Sequence, residues 1–158
     1  MRREVFTVKT DFDQVQLFCQ WAEKFKSDFH REPLNAFLSY DLKRVFNWLI
    51  ENYHTENGEV ILRPLLYWQM VQDKGHGLDC DDAFIFMASM LRAVGVKKKD
   101  IFVVEVSEPP ALDEYVHIFP ALQMPGKILW LDNLPGCKFG NLNYARECVR
   151  LTKFSEYA

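Results

Sequence analysis

Cysteine, net positive charge and long apolar runs are all scarce in this sequence, and each shortage removes a class of function. Four cysteines in 158 residues (Cys19, Cys80, Cys137 and Cys148), with no C-x-x-C spacing, are too few to staple the chain. Reduced thiols in a cytosolic setting are the expectation. Lys and Arg number 19 against 22 Asp and Glu, a formal net charge of −3 with a pI near 5.8. No basic excess attracts a phosphate backbone, so nucleic-acid binding is disfavoured. The one basic run, Lys97-Lys98-Lys99, lies between an apolar helical stretch and an apolar strand and reads as a solvated turn. No apolar stretch reaches ~18 residues. Met1-Arg2-Arg3-Glu4 leads into alternating polar residues instead of the ~7–15 apolar residues of a secretory leader. Membrane spanning and secretion are unsupported, and a cytoplasmic location is expected.

What the chain does contain is globular. Hydrophobic residues make up 49% and charged residues 26%, and the length suits one domain spanning residues 1–158, since domains run roughly 100 to 200 residues. Aromatics are plentiful at 15%, with 13 Phe, and imply a thick core or a shared interface.

Periodicity orders the elements. Val15, Phe18, Trp21, Ala22 and Phe25 recur at helical spacing over Asp11 to Lys26, with Thr10 or Asp11 as N-cap. From Pro33, apolar residues at steps of three and four predict a long second helix reaching Tyr53, with a break near Ser39-Tyr40-Asp41. Asn57-Gly58 is a turn signal, and the segment around Pro64 is ambiguous between an extended piece and a short helix. From Cys80, Ala83, Phe84, Met87, Ala88, Leu91 and Val94 form one apolar stripe that Gly95 stops. Ile101 to Val106, Tyr115 to Leu122 and Lys127 to Asp132 then read as consecutive antiparallel strands, with Met124-Pro125-Gly126-Lys127 as a hairpin turn. Pro120 removes a ladder donor, which implies an edge or a bulge there. The tail from Asn141 is helix or strand.

One constellation carries chemistry. Gly75-His76-Gly77-Leu78-Asp79-Cys80-Asp81-Asp82 turns tightly into a helix and sets Cys80 at its N-terminus. The helix dipole contributes about 0.3–1 kcal/mol there, or roughly one pKa unit at most. A histidinium at ~4 Å contributes about 4 kcal/mol at an effective dielectric of ~20, so a reactive thiolate needs a histidine. His76 lies in a loop, whereas His117 sits mid-strand on a rigid mount. Asp132 ends the next strand, across the hairpin, where its carboxylate would fix the imidazole tautomer. Asp79, Asp81 and Asp82 read as N-cap and first-turn acids. Successive helical side chains diverge by about 100 degrees, so Asp81 and Asp82 need not point at the sulfur.

These residues resemble the transglutaminase-like branch of the papain-like cysteine enzymes. The likeness rests on Gly-x-Asp-Cys-Asp-Asp opening an apolar helix, then a strand His, then a strand-end Asp after Trp-x. It covers Gly77 to Asp132, about a third of the chain. The resemblance implies an α+β fold in which N-terminal helices and a central catalytic helix pack on a C-terminal antiparallel sheet. It also implies Cys80 as nucleophile, His117 as general base and acid, and Asp132 as the orienting carboxylate. The chemistry would be acyl transfer or amide hydrolysis on a protein or peptide substrate through a thioester, with no cofactor. The Cys80 backbone N–H is one oxyanion donor. Of Trp68, Gln69 and Gln72 shortly upstream, each read first as a surface or packing residue, Gln72 is the candidate for a second.

Rival readings are weaker or rest on single residues. Zinc held by His76, Cys80, His117 and Asp132 lacks paired short ligand spacing and any H-E-x-x-H run. A calcium loop from Asp79 fails because Phe84 and Met90 stand where Gly and Glu are required. Gly75-x-Gly77 lacks the third glycine of a phosphate cradle. The alternative of another class is an inactive member of the same fold that serves as a binding or structural component, for example of a phage particle.

Overall fold

A computed structural model describes residues 11–53, 62–72, 79–108 and 111–158. Thr10, Asn57-Gly58 and His76 with its flanking glycines fall outside these residues. The fold is α+β, with helices in the first part of the chain and one four-stranded antiparallel sheet in the second.

Helix α1 spans Asp11–Phe25 and buries Val15, Phe18, Trp21, Ala22 and Phe25, the residues that carried its periodicity. The long second helix divides. A 3-10 helix covers Leu34–Ser39, and α2 covers Leu42–Glu51. Asp41 is the reason for the restart: its backbone is extended, and its side chain accepts the Arg44 N–H at 2.8 Å, which is an N-cap. The ambiguous segment resolves as helix α3, Pro64–Gln72. Buried Asp28, on a 3-10 helix over Lys26–His30, ties α3 down by accepting from Arg63 and from the Leu65 N–H at 3.1 Å.

Helix α4, Cys80–Ala93, departs from the single stripe expected of it. Every residue from Asp82 to Leu91 is buried, so the helix is enclosed on all sides. Val94, which the stripe included, is 49% exposed. Ser89 is accommodated by donating to the Ala22 carbonyl at 3.0 Å. Gly95, at φ +95°, ends the helix as anticipated, with the Val96 N–H bonded to the Leu91 carbonyl and the Gly95 N–H to that of Arg92. Among the described residues no helix is long and apolar enough to cross a membrane.

The sheet has the order β3-β2-β1-β4, from β1 (Ile101–Glu108), β2 (Ala111–Met124), β3 (Lys127–Trp130) and β4 (Val149–Lys153). The tail is therefore strand, with Val149 paired to Val106. The β2–β3 hairpin closes over Pro125-Gly126 with Met124 opposite Lys127, and Gly126 takes φ +73°, where a side chain would be strained.

Pro120 creates neither an edge strand nor a bulge at its own position. It pairs with Val103 inside the sheet, and its carbonyl accepts the Leu131 N–H at 3.1 Å. The reciprocal bond needs an N–H that proline lacks, so the β2–β3 ladder stops there and the chain leaves the sheet at Leu131. The bulge lies elsewhere. His117 faces Val106 and Tyr115 faces Ser107, leaving Val116 as the extra, unpaired residue on β2.

Candidate active site

Three elements meet at the bulged end of the β1–β2 pair. Cys80 arrives on the first residue of α4, held by a reciprocal capping box. The Asp79 carboxylate accepts the N–H groups of Asp81 and Asp82, and the Asp82 carboxylate accepts those of Asp79 and Leu62. The acidic cluster thus has the capping role read from its sequence. The Cys80 N–H makes no hydrogen bond among the described residues.

His117 is re-aimed by the adjacent bulge, and Asp132 follows the chain's exit from β3, two residues past Trp130. Their contact is direct: His117 Nε2 lies 2.8 Å from Asp132 Oδ1. The same carboxylate oxygen accepts the Leu134 N–H at 3.2 Å. Burial alone would raise the Asp132 pKa, but hydrogen bonding and charge from His117, with help from Tyr144 and Leu134, hold it below the usual carboxylate value. Oδ2 meets hydrogen-bond geometry with none of the described residues, although the Tyr144 hydroxyl and the Cys137 thiol lie close enough to act on the carboxylate. With Nε2 engaged, Nδ1 is the nitrogen left to exchange a proton.

Cys80 and His117 border one cavity of about 390 Å³. The backbone of Ile118, the residue after His117, lies near enough to the Cys80 sulfur to favour its anion, which puts the thiol against strand β2. The thiol is not poised as an anion. Burial pushes its pKa well up, Asp81 and Asp79 push it further, and only Ile118 opposes them. Asp81 does reach the sulfur, contrary to the expected divergence: Cys80 Sγ donates to Asp81 Oδ1 at 3.6 Å.

Two residues that border the cavity carried no functional signal in the sequence. Tyr53, just past α2, borders the cavity and feels Cys80, Asp79, Asp132 and Asp81; burial first, then these charges, raise its pKa and keep the hydroxyl protonated. Tyr144 also borders the cavity, with its ring 6.2 Å from that of His117 and stacked on Phe119 at 6.1 Å. Tyr53 ended the apolar run that predicted the second helix and read there as a packing residue, and Tyr144 belongs to no spaced motif.

Other expectations separate from the site. Gln72 ends α3 exposed and does not border the cavity. Gln69 is exposed, and Trp68 borders a different cavity between the 3-10 segment over Leu34–Ser39 and α2. All four cysteines are free, and Cys137 is half-buried beside Asp132, where burial and that carboxylate push its thiol up to about 11. Among the described residues no three His, Cys, Asp or Glu side chains are grouped to hold a metal ion. No protein-family model, curated protein or solved structure matches this chain, so the site is read from its own geometry.

Proposed function

We propose that the chain is a cysteine hydrolase or acyltransferase with a transglutaminase-like, papain-like core, acting in the cytoplasm on amide or ester carbonyls of protein or peptide substrates. The observation that carries this reading is the His117–Asp132 hydrogen bond beside a cavity that Cys80 also borders. His117 Nδ1 accepts the thiol proton as sulfur attacks the carbonyl carbon. The tetrahedral adduct collapses, the leaving amine or alcohol takes that proton from His117, and a Cys80 thioester remains. Water or an amine, deprotonated by His117, then releases the acyl group and restores the thiol. The raised thiol pKa favours this concerted general-base route over a resting thiolate–imidazolium pair. The Cys80 N–H and the protonated Tyr53 hydroxyl are the donors that suit the oxyanion, with Tyr53 taking the part first considered for Gln72.

The test is intact-protein mass spectrometry after exposure to 4-nitrophenyl acetate, with and without a primary amine. An acetyl adduct mapping to Cys80 and absent from Cys80→Ala supports the reading, and its fate separates hydrolysis from transfer. Acetylation spread over Cys80 and Cys137 without preference overturns it. A second reading, an inactive fold serving as a binding or structural component, is favoured by one observation: the thiol is protonated and donates to Asp81. That reading requires no adduct at Cys80.

A further inference from the structure

The cavity beside Cys80 has an uneven charge distribution. Among the described residues that border it there is no lysine or arginine, and its walls include Val106, Val116, Leu134 and Ala145. Three nearby acids already have partners: Asp132 holds His117, Asp79 caps α4, and Asp81 accepts from the thiol. Glu108 differs. It ends β1 at the mouth of the cavity, is exposed, and forms no ion pair with the described residues.

We propose that Glu108 selects the acyl donor, and that the donor presents a cationic side chain of arginine or lysine type beside the reacting carbonyl. This rests on the Cys80 reading above and names the substrate class for it. The carboxylate attracts a cation, and the apolar walls on the cavity side reduce, without removing, the solvent that screens it. It repels an anionic donor by the same reasoning. Glu108, His117 and Val116, the extra residue on β2, line the same cavity as the sulfur, so one bound donor can meet them together. Burial is the main reason the Cys80 thiol stays protonated, and a bound cation would offset the part that Asp81 and Asp79 add to it.

The test compares 4-nitrophenyl esters of N-acetyl-arginine, N-acetyl-citrulline and N-acetyl-glutamate, with nitrophenolate release read against a Cys80→Ala background. Citrulline matches arginine in shape and lacks only its charge. Wild type is expected to acylate about five- to tenfold faster with the arginyl than with the citrullyl ester, and most slowly with the glutamyl ester. Glu108→Gln should bring the arginyl and citrullyl rates together, Glu108→Lys should invert the order, and high salt should compress the wild-type ratio. Equal arginyl and citrullyl rates in wild type, or a ratio unchanged in Glu108→Gln, overturn the role of Glu108 while leaving Cys80 as nucleophile. No Cys80-dependent release from any ester overturns both.

Discussion

Asp132 Oδ1 accepts from His117 Nε2 at 2.8 Å and from the Leu134 N–H at 3.2 Å, so one buried carboxylate oxygen fixes both the imidazole and the chain leaving β3. Removing its charge therefore has a structural cost. Asp132→Asn is expected to lower unfolding free energy at pH 7 by about 1–3 kcal/mol. The pH dependence has a defined sign. A carboxyl whose folded pKa is depressed contributes stability that is present above its unfolded pKa, about 3.9, and lost as pH falls through the folded value. Urea unfolding at stepped pH should show wild type and variant converging below about pH 4. A gap that stays constant with pH would mean that shape, not charge, is what the variant loses.

Asp81 restrains the Cys80 thiol. Its Oδ1 lies 3.6 Å from Cys80 Sγ and is the second cause, after burial, of the raised thiol pKa. Asp81→Asn removes a negative charge next to the sulfur, lowers the thiol pKa and increases the thiolate fraction at any given pH below it. Alkylation of Cys80 by iodoacetamide at pH 8 should accelerate about three- to tenfold, with the pH–rate midpoint moving down. An unchanged profile would separate the carboxylate from the thiol's titration.

Most of this site could be read from residue order, and what could not has a common physical origin. Cys80 at a helix start, His117 in a strand and Asp132 beyond a two-residue hairpin follow from local signals: capping acids, apolar alternation and Pro-Gly. Tyr53 and Tyr144 reach the cavity through tertiary packing: the first stood at the end of an apolar run, where it read as core, and the second stood in no run at all. The Val116 bulge is equally silent, because it is a mismatch between two strands and appears in neither alone. Pro120 did announce an interruption, but its consequence falls on β3, which ends, and not on β2, which continues. The 3-10 conformation at Leu34–Ser39 was likewise hidden, since apolar steps of three suit both helix types.

The Asp28–Arg63 pair gives a stability test with an internal asymmetry. Asp28 is fully buried, whereas the Arg63 side chain is 37% exposed and also lies over the Phe25 ring at 4.2 Å. Deleting the arginine strands a buried carboxylate with only the Leu65 amide among the bonds described above, while deleting the aspartate leaves a cation that water can reach. Arg63→Ala should cost about 3–5 kcal/mol and Asp28→Ala about 2–3 kcal/mol, with the double variant losing less than the sum. Equal single losses that add would show that the two side chains act independently.

Gly140 bridges Trp130 by hydrogen bonds in both directions, 3.4 Å from the Trp130 N–H and 3.0 Å to its carbonyl, and so lines up the strand that delivers Asp132. Two separate penalties oppose a side chain there. Its φ is +83°, and an added Cβ would stand 2.8 Å from Leu129 Cδ1. Gly140→Ala should therefore destabilise by about 1–3 kcal/mol. Leu129→Ala in the same chain removes the collision and leaves the backbone strain, so the double variant should be more stable than the two single losses add up to, by about 0.5–1.5 kcal/mol. Thermal denaturation of the four proteins measures this coupling. Strict additivity would assign the whole cost to the backbone and clear Leu129 of any part in it.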